Sequence, residues 1–160
     1  MNAPIITSLG DLLLPNAVTA RARWKGRKQV LAEMSGVMAA ALGLSVRQVH
    51  EAVLERERLG STGVGEGVAI PHARIDSLIR PVGGFARLME PADFEAIDER
   101  PADLVFMLLA PTDAGADHLR ALARVARVFR QERIRAALRQ AQTEEAVLAV
   151  LSPDKTVDAA

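Results

Sequence analysis

Residues 104–110 read Leu-Val-Phe-Met-Leu-Leu-Ala, apolar throughout, and Pro111 ends the run. A stretch this short cannot span a bilayer, which takes about 20 apolar residues in a helix. A half-buried strand would alternate apolar and polar side chains, so an unbroken apolar run marks a strand covered on both faces. That strand dictates a layered fold, because something must pack on each side of the sheet it belongs to.

The flanking sequence offers helices for those layers. Val30, Leu31, Met34, Val37, Met38, Ala41 and Leu42 recur at helical spacing and predict a helix over 26–42. Gly43 stands where a helix favours a left-handed residue at its end. Ser45 followed by Gln48 is a capping-box pattern. It starts a second helix with the inner stripe Val49, Ala52, Val53 and Leu59, which Gly60 stops. Beyond Pro111, Thr112 or Asp113 is expected to start a third helix, with Leu119, Leu122, Ala123, Ala126 and Phe129 at helical spacing. A short helix over 133–139 follows. Thr143 then caps a last one through Leu151, with Glu144 and Glu145 in its first turn, where negative charge meets the positive end of the helix dipole. Two more strands are expected, 68–70 running into Pro71 and 82–88, whose Gly83 and Gly84 suggest a bulge or a close backbone approach. Residues 60–67, with four glycines, read as a loop. Residues 1–16 read as a lead-in with one apolar cluster at 9–14, where Pro15 limits any helix, and 154–160 as a loose tail. Helices at both ends with short strands between them make the fold class α/β: a sheet covered by helices.

A chain of 160 residues with no internal repeat and no low-complexity linker is expected to form one domain. Lys plus Arg and Asp plus Glu each total 20, so bulk charge supports neither nucleic-acid binding nor a membrane-surface role. The chain has no Cys, which excludes disulfides, zinc thiolates and a cysteine nucleophile. No basic start leads into a long apolar run at the N-terminus, so a cytoplasmic protein without membrane insertion is expected. With 3% aromatic residues and no Tyr, a base-stacking platform is disfavoured.

Chemistry concentrates around two histidines. His72 follows Gly60-Ser-Thr-Gly-Val-Gly-Glu-Gly-Val-Ala-Ile-Pro71, a glycine-rich approach and a short apolar strand ending in a stiff proline. That holds one imidazole at a strand end, where a neutral ring can act as a nucleophile. Backbone N–H groups of the glycines, with the hydroxyls of Ser61 and Thr62, could cradle a phosphoryl group on it. The plainer alternative is a turn histidine among glycines that serve tight turns. His118, beside Asp117, falls in the expected first turn of a helix, where free N–H groups favour phosphate and disfavour a protonated ring. Its alternative is a solvent-facing histidine with Asp117 as a local cap. Arg56 and Arg58 precede the glycines and Arg74 follows His72; each can grip phosphate oxygens. Glu51, Glu55 and Glu57 lie alongside, so these charges also fit a solvated helix face. His50, His72 and His118 lack the short spacings of a zinc signature. The glycine run matches neither a Walker loop nor a dinucleotide fingerprint, and no serine sits in a nucleophile elbow.

The run from Arg56-Glu-Arg-Leu-Gly through Ile-Pro-His72 resembles the active-site region of the fructose/mannitol-type IIA domains of the bacterial phosphoenolpyruvate-dependent phosphotransferase system. The resemblance continues through Phe94-Glu-Ala-Ile-Asp98, Pro101-Ala-Asp-Leu-Val-Phe-Met-Leu-Leu-Ala-Pro111 and His118-Leu. It covers residues 9–151 as a single domain, with 1–8 a lead-in and 152–160 a tail. It implies a mixed central β-sheet covered by helices. It also implies that His72 is the phosphoryl acceptor, that His118 is the second active-site histidine and assists phosphate binding, and that Arg56 contacts the site. Phosphate would come from an HPr-like carrier, with no metal or organic cofactor. The single-domain length looks like the nitrogen-regulatory branch, whose phosphorylation state changes which proteins are bound. A fructose-specific IIA component passing phosphate to a IIB domain, or a module that only binds partners, remains the alternative. The family's apolar docking surface would fall on Val64, Val68, Ile75, Leu78 and Ile79. Many relatives carry Gly where this chain has Ala73, which keeps a small residue but speaks against a positive φ there.

Overall fold

A computed structural model describes residues 8–153. The expected lead-in 1–8 and tail 152–160 therefore lie outside the described residues, apart from Ser8, Ser152 and Pro153. The elements in chain order are β1 (Leu13–Ala22), α1 (Gly26–Leu42), α2 (Val46–Leu59), β2 (Gly63–Gly65), β3 (Val68–Ala69), β4 (His72–Ile75), β5 (Val82–Ala92), β6 (Ala102–Pro111), α3 (Gly115–Phe129), α4 (Glu132–Gln140) and α5 (Glu144–Leu151). They form a mixed sheet in the order β1-β5-β6-β3-β2, with β4 also paired to β6. Among the described residues no helix is long and apolar enough to cross a membrane.

The apolar run is the centre of the sheet. In β6 the side chains of Val105, Met107 and Leu109 enter one core, which α1 and α2 close. Leu104, Phe106 and Leu108 enter the other, under α3, α4 and α5. Strand β5 runs antiparallel to β6, β1 lies parallel to β5, and β3 and β4 lie parallel to β6. Gly83 and Gly84 serve close approach; their register on β6 is regular, while the irregularity on their other side falls in β1, between Leu13 and Val18. A Cβ at Gly83 would lie 2.4 Å from the Phe106 ring, and one at Gly84 2.5 Å from Met38 Sδ. Gly43 ends α1 at φ 68°, with its N–H on the Ala39 carbonyl. The hydroxyls of Ser45 and Thr143 cap α2 and α5 by accepting from Gln48 N and Ala146 N.

Five expectations change. The segment read as a lead-in continues into a ten-residue strand, β1. Pro15 is tolerated there because β1 is an edge strand, and the register shifts between Leu13 and Val18. Inside the expected 60–67 loop, β2 pairs antiparallel with β3. Glu66 (φ 58°) and Gly67 (φ 76°) join them in the doubly left-handed turn that hairpins favour. Helix α3 starts at Gly115, not at Thr112 or Asp113, and its buried face is His118, Ala121, Val125, Val128 and Phe129. Leu119 and Leu59, expected inside, are 64% and 84% exposed. Of the expected docking residues, Val68 and Ile75 are core and Leu78 packs against it, whereas Val64 and Ile79 are exposed.

Candidate active site

Strands β3 and β4 are two pieces of one line along β6, with Val68 opposite Leu104 and His72 opposite Leu108. The break falls at Ile70-Pro71. Ile70 N–H turns to the Thr62 carbonyl, and Pro71 has no N–H to give, although its carbonyl still accepts from Leu108 N at 2.9 Å. The kink frees the Ile70 carbonyl, which lies 2.7 Å from His72 Nδ1. A carbonyl only accepts, so Nδ1 carries the proton and the neutral ring keeps its lone pair on Nε2. Arg56 Nε–H donates to that Nε2 at 3.1 Å, reaching across from the last turn of α2. The same guanidinium donates through Nη1 to the Gly60 carbonyl at 3.0 Å.

His118 enters from the first turn of α3. Its ring centroid lies 5.6 Å from that of His72, tilted by 59°. It is 5% exposed, not solvent-facing, and its Nδ1 has no hydrogen-bond partner among the described residues. Asp117 pairs with Arg120 on the exposed side and does not cap the helix. Arg74 stands two residues after His72 on β4 and so shares its face, close to Gly115 at the start of α3. Ala73 is buried in β4 opposite Leu109 and is not among the residues with positive φ.

These side chains line a surface cavity of about 780 Å³: His72, His118, Arg56, Arg58 and Arg74, with Leu59, Leu119 and Leu122 as its apolar part. Burial pushes His72 below the ordinary histidine value of 6.5, and the Arg56 charge acts in the same direction. The Ile70 hydrogen bond and the Glu57 carboxylate oppose the shift. His118 is lowered by burial first, then by His72, Arg74 and Arg56. Two neutral imidazoles among three guanidinium groups, which outnumber the one carboxylate of the lining, Glu55, suit a nucleophilic nitrogen that meets an anionic, tetrahedral group.

Not every expected residue faces that space. Ser61 Oγ donates to the Phe94 carbonyl and accepts from Gly63 N at 3.0 Å. Thr62 is 4% exposed; its Oγ1 donates to Glu57 Oε2 at 2.7 Å. The Ser61 proton thus goes to the Phe94 carbonyl and the Thr62 proton to Glu57 on α2, and neither of these expected phosphate ligands lines the cavity. The glycines, expected to cradle an anion, pack elsewhere: Gly63 against Phe94 and Ala96, Gly65 against Asp98, and Gly67 against Asp103 and Arg139. His50 lines a different cavity, with Arg27 and Lys28. Glu57, read as part of a solvated face, has a side chain only 6% exposed. Leu59 and Leu119 were legible only as apolar residues, and their exposure beside the histidines has no sequence signal.

Residues 11–153 match the family described as phosphoenolpyruvate-dependent sugar phosphotransferase system, EIIA 2. The chain is 46% identical over 142 residues to a nitrogen regulatory protein of Bradyrhizobium diazoefficiens, covering 89% of this chain and 93% of that protein. It is 38% identical over 143 residues to the fructose-specific EIIABC component of Bacillus subtilis, covering 89% of this chain and 22% of that protein. The structure of the nitrogen regulatory protein IIA-Ntr from Neisseria meningitidis superposes with a TM-score of 0.83 at 35% identity, covering 90% of this chain and 99% of that one.

Proposed function

The chain belongs to the EIIA 2 family of the phosphoenolpyruvate-dependent phosphotransferase system, and from that membership we propose that it is a nitrogen-regulatory IIA protein phosphorylated on His72. The donor is an HPr-like carrier, and the phosphorylation state selects the regulatory proteins it binds. One observation carries the reading. His72 Nδ1 is tied to the Ile70 carbonyl at 2.7 Å, which aims the Nε2 lone pair at the cavity, against Arg56 at 3.1 Å.

In this mechanism Arg56 leaves Nε2 for the incoming phosphoryl oxygens, and Nε2 attacks phosphorus in line. The bond from phosphorus to the carrier breaks, and its electron pair stays with the carrier. The Nδ1 proton remains in place, so the phosphorylated ring gains positive charge, which the Ile70 carbonyl stabilises. Arg56, Arg74 and His118 hold the transferring oxygens. Because the ring is neutral beforehand, no proton has to leave before attack. The added group carries about −1.5 to −2 charges, enough to reverse the sign of a cavity mouth and change which partner fits.

The test is phosphotransfer from phosphoenolpyruvate, Enzyme I and the HPr-like carrier to wild type and to a folded His72→Ala variant, read by intact mass and phosphohistidine NMR. Acid-labile label at His72 Nε2 in wild type, absent from the variant, is expected. No label from an active carrier would leave a module that only binds partners. The 38% identity to part of a fructose-specific EIIABC component favours a second reading, a IIA component that hands phosphate to a IIB domain. Mixing labelled protein with a IIB domain separates the two: the regulatory reading expects the label to stay.

A further inference from the structure

Glu57 is a nearly buried carboxylate that the transfer mechanism leaves unused. It sits between Arg56 and Arg58 in the last turn of α2, yet its side chain turns inward and is only 6% exposed. Oε2 accepts the Thr62 hydroxyl proton at 2.7 Å, and Oε1 faces Thr62 N–H at 3.4 Å. Arg27, from the first turn of α1, is 3.7 Å away. The carboxylate thus bridges residues 57 and 62 and closes the turn through Leu59, Gly60 and Ser61. Arg56 grips the same turn, donating to the Gly60 carbonyl at 3.0 Å while its Nε–H meets His72 Nε2. Thr62 in turn accepts, through its carbonyl, the N–H of Ile70, whose own carbonyl fixes His72 Nδ1. The Nδ1 anchor therefore runs back to Thr62, the Arg56 anchor lies in the turn that ends at Thr62, and the Glu57 side chain ties Thr62 to α2.

From this connectivity we infer that Glu57 is a positioning residue: its bond to Thr62 sets Arg56 and the His72 ring against each other for phosphoryl transfer. The inference rests on the phosphocarrier reading. It also explains why the Thr62 hydroxyl faces away from the cavity. Glu57 never touches phosphate; it acts by holding the Gly60 carbonyl where Arg56 needs it and the Ile70 carbonyl where Nδ1 needs it. A displacement of either by about 1 Å is enough to slow a reaction that depends on alignment.

The experiment compares wild type with Glu57→Ala, Glu57→Gln, Thr62→Val and the Glu57→Ala/Thr62→Val double variant. Single-turnover phosphate uptake and carrier affinity are measured separately, together with the ring-nitrogen resonances of His72 and the Nε–H resonance of Arg56. Glu57→Ala is expected to slow uptake about tenfold at unchanged carrier affinity. Gln, which keeps an acceptor oxygen for Thr62, restores most of the rate. Thr62→Val slows it in the same direction, and the double variant is no slower than Glu57→Ala, because both changes remove one bond. The Arg56 and His72 resonances move in the slow variants. If Glu57→Ala does not fold, Thr62→Val, which removes a single hydroxyl, carries the test. Wild-type uptake with unmoved Arg56 and His72 resonances in a folded variant overturns the inference, as does loss of melting temperature alone. The wild-type control separates the two readings: if wild type takes up no phosphate, the phosphocarrier reading fails, and the resonances alone decide whether Glu57 positions Arg56.

Discussion

At the scale of single residues, the proposed transfer depends on keeping two imidazoles neutral in a cavity that three arginines line. Burial is the largest cause for both, and the neighbouring guanidinium groups add to it. Phosphate uptake should therefore stay level through neutral pH and fall only on the acid side, with a midpoint below 6.5. A single-turnover rate profile checks this, and a midpoint above 6.5 would contradict a buried nucleophile. The same shifts bear on stability. A histidine whose folded value is lowered binds its proton first in the unfolded chain. Stability is thus fully present above 6.5, falls as the pH drops from 6.5 towards the folded values, and then levels off. His118→Gln should flatten part of that slope, measured as urea midpoints at about pH 7.5 and about pH 5.5. The residues of this site were legible to different degrees. His72, His118 and Arg56 stood in a recognisable pattern, and the structure brings them together. The roles of Ser61, Thr62 and Glu57 were not legible, because a hydroxyl or carboxylate beside glycines looks alike whether it faces a ligand or closes a turn. Only the path of the chain decides which.

Secondary structure elements show where periodicity informs and where it fails. The two-sided burial of β6 and the helices α1, α2, α4 and α5 follow directly from spacing and caps. Strand β1 does not, since Pro15 and two register shifts break its alternation. Strand β2 hides among glycines because an edge hairpin needs backbone pairing more than side chains. Helix α3 was read out of phase because His118 takes a buried position and leaves Leu119 outside. Such conflicts between pattern and burial gather at functional sites. The glycines permit a direct test at this scale. Gly36 lies within α1 with nothing within 4 Å of an added Cβ. Gly36→Ala should therefore stabilise the protein by about 0.5–1 kcal/mol through a less flexible unfolded chain. Gly83 lies in β5 where a Cβ would meet the Phe106 ring at 2.4 Å. Gly83→Ala should destabilise by roughly 1–3 kcal/mol, as overpacking of a filled core does. Urea unfolding of both variants checks the opposite signs.

The whole molecule is two helical layers sharing one sheet, and β6 makes them interdependent. Its alternate side chains are the floor of both cores: Val105, Met107 and Leu109 on the α1–α2 side, Leu104, Phe106 and Leu108 on the α3–α5 side. Peeling off either helical layer would expose one face of a strand that has no polar face to offer to water. The candidate site spans the same divide, with Arg56 from the α2 layer, His72 on the sheet and His118 from the α3 layer. A layer that opened alone would thus both expose the core and dismantle the site, so the two layers should unfold together. Trp24 packs against the α1–α2 core and reports on that side. Phe129 stacks on Phe85 at a centroid distance of 6.0 Å and meets Phe106 at a tilt at 5.9 Å, so Phe129→Trp in a Trp24→Phe background reports on the other. The expected result is one urea midpoint from both fluorophores and from far-UV circular dichroism, as a cooperative two-state domain requires. Two separated midpoints would instead show that the helical layers are independent units, and that the geometry between His72 and His118 can be lost before the sheet is.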